Sequence, residues 1–502
     1  MLVFELLLLI AIALELLLAF KWFWSYRYTI IAISSVLNIY AIGLILLRPP
    51  VNPWWLLGLL IIIFRLIVAG RVLSNRKQTN HLRNVTAHSV VMLVGLQLLA
   101  WLGAILSRYI DWTTLITTLS LLQFIVSLSV FGWIINSLLQ TTYHKDNSTA
   151  YTDKELPSIT VAIPARNETN DLEACIDSIV ASNYPKLEIL VLDDCSQDKT
   201  PDIIKQYAHA GVRFIQGSTP PDTWLAKNYA YAHLAQEASG SYVIFCGVDV
   251  RMSPNFLRAL ITLIKQKKKR MVSVLPVRLG GDFRSSFIQP MRYWWELALP
   301  RKLMNKPAVL STCWAIDRKI LENLGGFAAV KRNILPERYF ARECVRHDSY
   351  SFIRANQELD LRTTKSPVEQ IHTTARVRYP QLRNRPESIL LFILGLQFLL
   401  LSPFFFFFAY LGSSQSLIYI LSGLSIFALT LSHVSILVIS NPVYSITGLI
   451  NFPLVVLSDI AITLYSMLRY EFGQVIWKGR NVCMPILNAP DHARSQNRAH
   501  NK

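Results

Sequence analysis

A chain of 502 residues is too long for one small domain, and its 52% hydrophobic content and mean hydropathy of +0.34 exclude an ordinary soluble composition. Fifty basic residues against 32 acidic ones leave a net charge of +18, which in so apolar a chain points to positive loops at the inner face of a membrane. No nucleic-acid-binding motif accompanies the charge, so no nucleic acid partner is expected, and the six cysteines show neither CxxC nor zinc spacing.

In chain order, residues 1–143 predict about five transmembrane helices. Residues 1–20 lack a basic leader and a small-residue cleavage site, so they read as a retained span and not as a signal peptide. Glu5 and Glu15 interrupt this span, and Glu15 is deep enough that it must face other helices or water, or serve a function. Further spans are expected at 28–47, 54–69, 85–106 and 115–139. Arg71, Arg76, Lys77 and Arg83 lie between the third and fourth spans, whereas Arg48 stands alone between the second and third. Positive loops stay inside, so the segment after the fifth span is expected inside as well. Residues 144–157 are a polar linker.

Three short apolar runs follow, Ile159–Ile163, Leu187–Leu192 and Tyr242–Cys246, each ending in polar residues. They read as buried parallel strands. Stretches of helical length at 170–182 and 201–208 alternate with them, which predicts a doubly wound sheet with its ligand site at the carboxyl ends of the strands. The residues placed there are Arg166, Asn167 and Glu168, then Asp193 and Asp194, then Asp249 and Arg251. Carboxylates at three strand ends suit a nucleotide's base and ribose and a metal on its diphosphate. No GxGxxG follows the first strand, which excludes a Rossmann dinucleotide site. Asp198 and Thr200 are expected to cap the helix that opens at Pro201, and Cys175 and Cys246 to be core thiols.

Beyond this, a helix is expected at 261–270, ending in a basic run that complements its dipole or meets headgroups. Residues 287–304 mix aromatics with Arg292, Arg301 and Lys302 and read as an interfacial amphipathic helix with Trp294 and Trp295 at headgroup level, the rival being an ordinary core helix. A strand is expected at 315–317, just after Cys313 and Trp314. Residues 386–470 predict two or three further spans, at 388–411, 417–440 and 445–468. Three spans would carry the basic tail 471–502, with Lys478, Arg480, Arg494, Arg498 and Lys502, to the outer side, against the charge rule. The last segment, which holds Pro453 and Asp459, is therefore expected to be re-entrant or interfacial.

The motifs now combine. PARNE at 164–168, DDCSQDKT at 193–200, WLAKNYA at 224–230 and VDVRMSP at 248–254 resemble a family 2 glycosyltransferase of the GT-A fold. They are similar to the membrane-bound hopene-associated and carotenoid glycosyltransferases, over about 158–385 and a WKGR tail at 477–480. The resemblance implies an α/β nucleotide-sugar-binding domain, a doubly wound mixed sheet at 158–385, inserted between N-terminal and C-terminal transmembrane helices. It implies an inverting enzyme that moves a sugar from a UDP- or GDP-sugar to a lipid acceptor at the cytosolic face of a bacterial inner membrane. Arg166, Asn167, Glu168, Asp193, Asp194 and Lys227 would bind the donor, Lys227 by its match to the lysine of GWxGKxxA. Asp249 matches the second acid of a DxD motif and would bind donor and a divalent cation, Mg2+ or Mn2+. The first position of that motif is Gly247, a departure from the pattern. Glu337, in PERYFAR at 336–342, stands where the family has the base of EDxxLAR; His347 and Asp348 are a reserve. Trp294, Trp295, Trp314 and Arg383 would meet acceptor or membrane. The QxxRW of processive polysaccharide synthases is absent, which disfavours that reading. An inactive membrane scaffold or sugar-nucleotide sensor is kept open by Gly247 and by Glu337 in place of aspartate. The N-terminal helices are expected to bind a protein partner or lipid.

Overall fold

The computed structural model describes residues 2–47, 53–74, 80–142, 151–278, 283–288, 290–298 and 307–483. Arg48, Arg76, Lys77, linker residues 144–150, Arg301, Lys302, Arg494, Arg498 and Lys502 lie outside the described residues. The chain forms two compact units, one of residues 125–371 with 424–458, the other of 1–124, 372–423 and 459–502.

The first of these units is built on strands β1 (Ile159–Ala165), β2 (Leu187–Asp193), β3 (Val212–Gln216), β4 (Tyr242–Cys246), β5 (Val250–Met252), β6 (Met271–Leu275), β7 (Val277–Arg278), β8 (Cys313–Asp317), β9 (Tyr350–Arg354) and β10 (Leu361–Thr363). Seven of them form one sheet in the order β3-β2-β1-β4-β8-β6-β9. The first four run parallel; β8 runs antiparallel to both of its neighbours, so the sheet is mixed. The apolar runs are continuous because both faces are covered. Ile159, Val161 and Ile163 point into one core with Ile189 and Val191, while Ala162, Leu190, Leu192 and Phe245 point into the other, following the two-residue period of a strand.

Helices α6 (Leu172–Val180), α7 (Thr200–Gln206), α8 (Ala226–Glu237) and α9 (Phe256–Gln266) connect the strands, numbered after the five N-terminal helices given below. Helix α9 begins five residues before the expected 261 and ends before the lysine run, where Lys268 turns left-handed at φ 49°. A small sheet β5-β10-β7 returns the chain beneath Asp249. Helices α10 (Pro290–Leu297) and α11 (Pro336–Arg346) complete what positions the site.

The second unit is helical. It holds α1 (Leu2–Leu17), α2 (Arg27–Leu47), α3 (Pro53–Ser74) and α4 (Asn80–Leu106), most of α12 (Pro367–Gln381), α13 (Pro386–Leu396), α14 (Ser402–Tyr410), and portions of α15 (Ser416–Ser440) and α16 (Gly448–Glu471); α5 (Trp112–Thr141) is likewise shared between the units. Among the described residues seven helices are long and apolar enough to cross a membrane, four before the sheet and three after it.

Two expectations are corrected here. The first expected span is a helix of 16 residues followed by a 3-10 turn, Lys21–Tyr26, short of the about 20 residues a span requires. The last segment does not break and return: α16 is one helix of 24 residues that takes up Pro453 near its start, and Asp459 is held by the guanidinium of Arg378.

Several buried carboxylates in this helical unit hold arginines. Arg65 donates from Nε to Glu15 at 2.8 Å, and Asn38 donates to the other carboxylate oxygen at 2.8 Å. Arg71 holds Glu471 at 2.5 Å, where Tyr379 also donates. Glu15 therefore faces other helices.

Candidate active site

The carboxyl ends of β2, β1 and β4 lie side by side, with Ala165 in register with Asp193. The loops after β1 and β2 are tied together. The Asp194 N–H donates to the Ala165 carbonyl at 2.8 Å. Arg166 turns its guanidinium onto the carbonyls of Asp194 and Cys195. Asn167 is left-handed at φ 51°, donates its backbone N–H to Ser196 Oγ at 3.0 Å, and accepts the Gln197 N–H on its side-chain oxygen at 2.9 Å. The Glu168 N–H donates to Thr200 Oγ1 at 2.8 Å and Asp198 accepts the Thr200 N–H at 3.0 Å; the helix opens at Thr200 behind Lys199, without a side-chain cap, so the Thr200 hydroxyl ties the loops together instead of capping.

Asp193, 1% exposed, and the buried Asp194 sit at this seam; Asp193 accepts the Ser196 N–H through both carboxylate oxygens. Arg166 thus ties the two loops together through the backbone. Arg251 is likewise committed, to Asp171 at 2.9 Å.

Asp249 stands three residues beyond β4. Thr363, at the end of β10, donates its hydroxyl to Asp249 Oδ2 at 2.9 Å, and the Thr364 N–H donates to the Asp249 carbonyl at 3.0 Å. Burial pushes the Asp249 carboxyl up, but Lys365, the Thr363 hydroxyl and Arg292 outweigh it, and the carboxyl sits below its usual range. Among the described residues no set of three or more His, Cys, Asp or Glu side chains could hold a metal. Asp249 alone still fits a cation shared with a bound diphosphate, because Mg2+ is usually held by one or two carboxylates plus phosphates and waters.

The segment 224–230 opens α8. Lys227 lies in its first turn, with Nζ 5.2 Å from the centre of the Tyr231 ring one turn on. Asn228 points the other way and is buried. Its amide nitrogen donates to the carbonyls of Val330 and Asn333, both at 2.8 Å, and reaches Lys331 at 3.3 Å. The Leu225 N–H adds a bond to Lys331 at 2.9 Å. This clamp holds the loop that leads into α11, whose first turn carries Glu337 behind Pro336.

Glu337 is 0% exposed, and neither carboxylate oxygen has a hydrogen-bond partner among the described residues. Burial raises its pKa above the usual carboxylate value, opposed by Lys227, Arg338 and Arg292. A buried, partnerless carboxylate amid three cations is a functional candidate on physical grounds. Lys227 and Glu337 are therefore neighbours, and Arg292 acts on both Glu337 and Asp249.

The expected acceptor and membrane contacts are partly corrected. Trp314 is 0% exposed in the core, its ring 4.6 Å from that of Phe245 and 6.0 Å from that of Phe340, so it cannot line an acceptor surface. Trp294 does not stand at headgroup level. It is 3% exposed, donates its indole N–H to His433 Nδ1 at 3.2 Å, and stacks on Phe452 at 5.6 Å. The apolar side of α10 is thus covered by protein, as the core-helix alternative supposed, and only Trp295 stays half-buried. Arg383 belongs to the helical unit, exposed at φ 69° and followed by a second left-handed residue, Asn384 at φ 54°.

Four residues at the site escape motif reading. Thr363 and Lys365 arrive from a strand far along the chain, with no local signal. Asn228 follows Lys227 directly, but only the fold shows what it holds. Arg292 lies in a stretch whose aromatics dominate its pattern.

Known proteins agree with this architecture. Residues 160–325 match the model of glycosyl transferase family 2. The probable glycosyltransferase YdaM of Bacillus subtilis is 29% identical over 186 residues, 35% of this chain and 44% of that protein. The 4,4'-diaponeurosporenoate glycosyltransferase of Staphylococcus haemolyticus is 31% identical over 121 residues, 24% of this chain and 32% of that protein. Among solved structures, the mannosyltransferase PcManGT from Pyrobaculum calidifontis, in complex with GDP-Man and Mn2+, is 15% identical with a TM-score of 0.41, covering 71% of this chain and 98% of that one. The chain spans less than half the length of these two curated relatives. Residues 160–325 thus match a family 2 glycosyltransferase domain, and helices long and apolar enough to cross a membrane precede and follow them in the chain.

Proposed function

We propose that the protein is an inverting glycosyltransferase that moves one sugar from a UDP- or GDP-sugar onto a hydroxyl or phosphate of a membrane lipid at the cytosolic face. The observation that carries this reading is Glu337, a buried carboxylate without a partner beside Lys227, reached by the same clamp that orders the donor side. Glu168, Asp193 and Asp194 hold base and ribose. Lys227 lies against the diphosphate as a point charge. Glu337 accepts the acceptor's proton as the new bond forms at the anomeric carbon and the bond to the diphosphate breaks. A single base with direct displacement inverts the anomeric centre. Asp249 would hold a divalent cation, which when bound neutralises charge on the leaving diphosphate.

The raised pKa of Glu337 suits this role, since a base works best with a pKa near the working pH. Membrane lipid as acceptor is supported by the apolar helices on both sides of the domain and by the diaponeurosporenoate glycosyltransferase relative. A cytosolic orientation is supported by the positive loop charges, Arg71, Arg76, Lys77 and Arg83, between the third and fourth expected spans. The test is to compare lipid extracts of cells with and without the gene by mass spectrometry. A glycolipid lost with the gene and restored by the wild-type chain, but not by Glu337→Gln, is the expected result. Restoration by Glu337→Gln would favour the scaffold reading.

A further inference from the structure

Helix α10 has two working sides. One carries Trp294, seated on His433 and Phe452 of α15 and α16. The other carries Glu296, which accepts from the Val309 N–H at 3.2 Å and from Arg338 Nη2 at 3.4 Å. Arg338 is the residue after Glu337, so this side of α10 meets the first turn of α11. Arg292 precedes Glu296 by one helical turn and shares its face.

The arginines around it are engaged: Arg338 with Glu296, Arg251 with Asp171, Arg166 with two carbonyls. Arg292 differs. It is half-buried, close enough to act electrostatically on both Asp249 and Glu337, and makes no hydrogen bond or ion pair to any described residue. Arg292 lies on the side of α10 that meets the first turn of α11, and a half-buried guanidinium there, bonded to neither Asp249 nor Glu337, keeps its donor fork for a ligand. The ligand chemistry that matches a planar fork with several donors is a phosphate pair, gripped through two oxygens at once.

We propose that Arg292 is a further catalytic residue that grips the diphosphate of the nucleoside-diphosphate donor opposite Lys227, and that the clamp is delivered by a helix seated on α15 and α16. This rests on the glycosyl-transfer reading above. The leaving nucleoside diphosphate gains charge as its bond to the sugar breaks, and the Arg292 guanidinium meets that charge.

The test is calorimetric binding of UDP, GDP and the matching monophosphates to the detergent-solubilised full chain. Arg292→Gln, which keeps the side chain's bulk at a half-exposed position, is expected to weaken binding of the better nucleoside diphosphate by about tenfold to a hundredfold while the monophosphate changes by less than about threefold. Arg292→Lys is expected to recover part of the loss. Diphosphate binding at wild-type strength in Arg292→Gln overturns the proposal, also where the acceptor KM rises, since that assigns the guanidinium to the acceptor. A wild-type chain that binds none of the four nucleotides sinks the glycosyl-transfer reading itself. A wild-type chain that binds and an Arg292→Gln that binds equally sinks only the Arg292 assignment.

Discussion

The two compact units pair most of their buried charge and differ most at Glu337. Among the described residues of the helical unit, Glu15 holds Arg65, Asp459 holds Arg378 and Glu471 holds Arg71, while Glu387 lies 3.5 Å from His88 Nε2 without a hydrogen bond. In the sheet unit Glu296 and Asp317 likewise meet arginines, but Glu337, as deeply buried, has no hydrogen-bond or ion-pair partner among the described residues. Charges that hold a structure are neutralised on the spot, because an unpaired ion in an apolar interior costs several kcal/mol. Charges held back from pairing are kept for a ligand.

The sharpest way to break this contrast is Glu337→Gln. Transfer is expected to fall by about 10²–10⁴-fold while nucleotide binding survives. The same change is expected to raise thermal stability. A carboxyl whose folded pKa lies above its unfolded value binds extra protons in the folded state, so its cost is absent below the unfolded pKa and complete above the folded one. The gain in melting temperature should therefore grow as pH rises through the weakly acidic range, measured by a fluorescence melt. A variant that is destabilised at every pH would show Glu337 to be a structural residue.

Arg65→Ala tests the other side of the contrast. Leaving Glu15 buried without its partner is expected to destabilise the helical unit by about 3–5 kcal/mol, seen as loss of monodisperse protein in detergent. Arg65→Ala combined with Glu15→Gln is expected to regain most of this, whereas the paired reading fails if the double variant is no better than the single one.

Asn228→Ala is expected to cost about 1–3 kcal/mol, because the buried Val330 carbonyl and the part-buried Asn333 carbonyl lose this donor. It should lower kcat and shift the pH profile of transfer, since the loop it releases sets Glu337 against Lys227. A variant with lowered stability but an unmoved pH profile would leave Asn228 as a packing residue.

The smallest effect is expected at Asp249. Its depressed pKa contributes stability that is present above the unfolded carboxylate pKa and lost as pH falls through the folded one. Asp249→Asn should thus flatten the acid limb of the stability curve. It should also remove the response of transfer to EDTA that the wild-type chain is expected to show. A variant as sensitive to EDTA as the wild type would place the cation elsewhere.

Much of the donor side is legible in the residues themselves. Apolar runs buried on both faces mark β1, β2 and β4 without ambiguity, and polar residues at their ends mark the loops, so Asp193, Asp194 and Asp249 fall on adjoining strand ends. What local pattern cannot carry is partnership over distance. Thr363 and Lys365 reach Asp249 through a strand pairing that no periodicity announces. The amphipathic pattern of α10 tells that one side is apolar but not that α15 and α16 cover it, which is why Trp294 is buried instead of facing headgroups. Trp314 misleads for a related reason: its strand is short and polar-flanked, yet it pairs with β4 and β6 in the middle of the sheet. In the helical unit, apolar length overstates α1, where a turn at residue 18 interrupts a hydrophobic stretch.

Gly247 has a consequence for how this lineage of motif can change. A side-chain carbon placed there would stand 2.6 Å from Asp249 Oδ1. The empty first position is the room into which the remaining acid folds back toward Thr363. Reinstating an aspartate at 247 would first evict that rotamer, so a two-acid motif and the present hydroxyl-bound Asp249 are alternative conformations of one loop. Any route between them passes through a change of Asp249's own torsion before a second ligand can help.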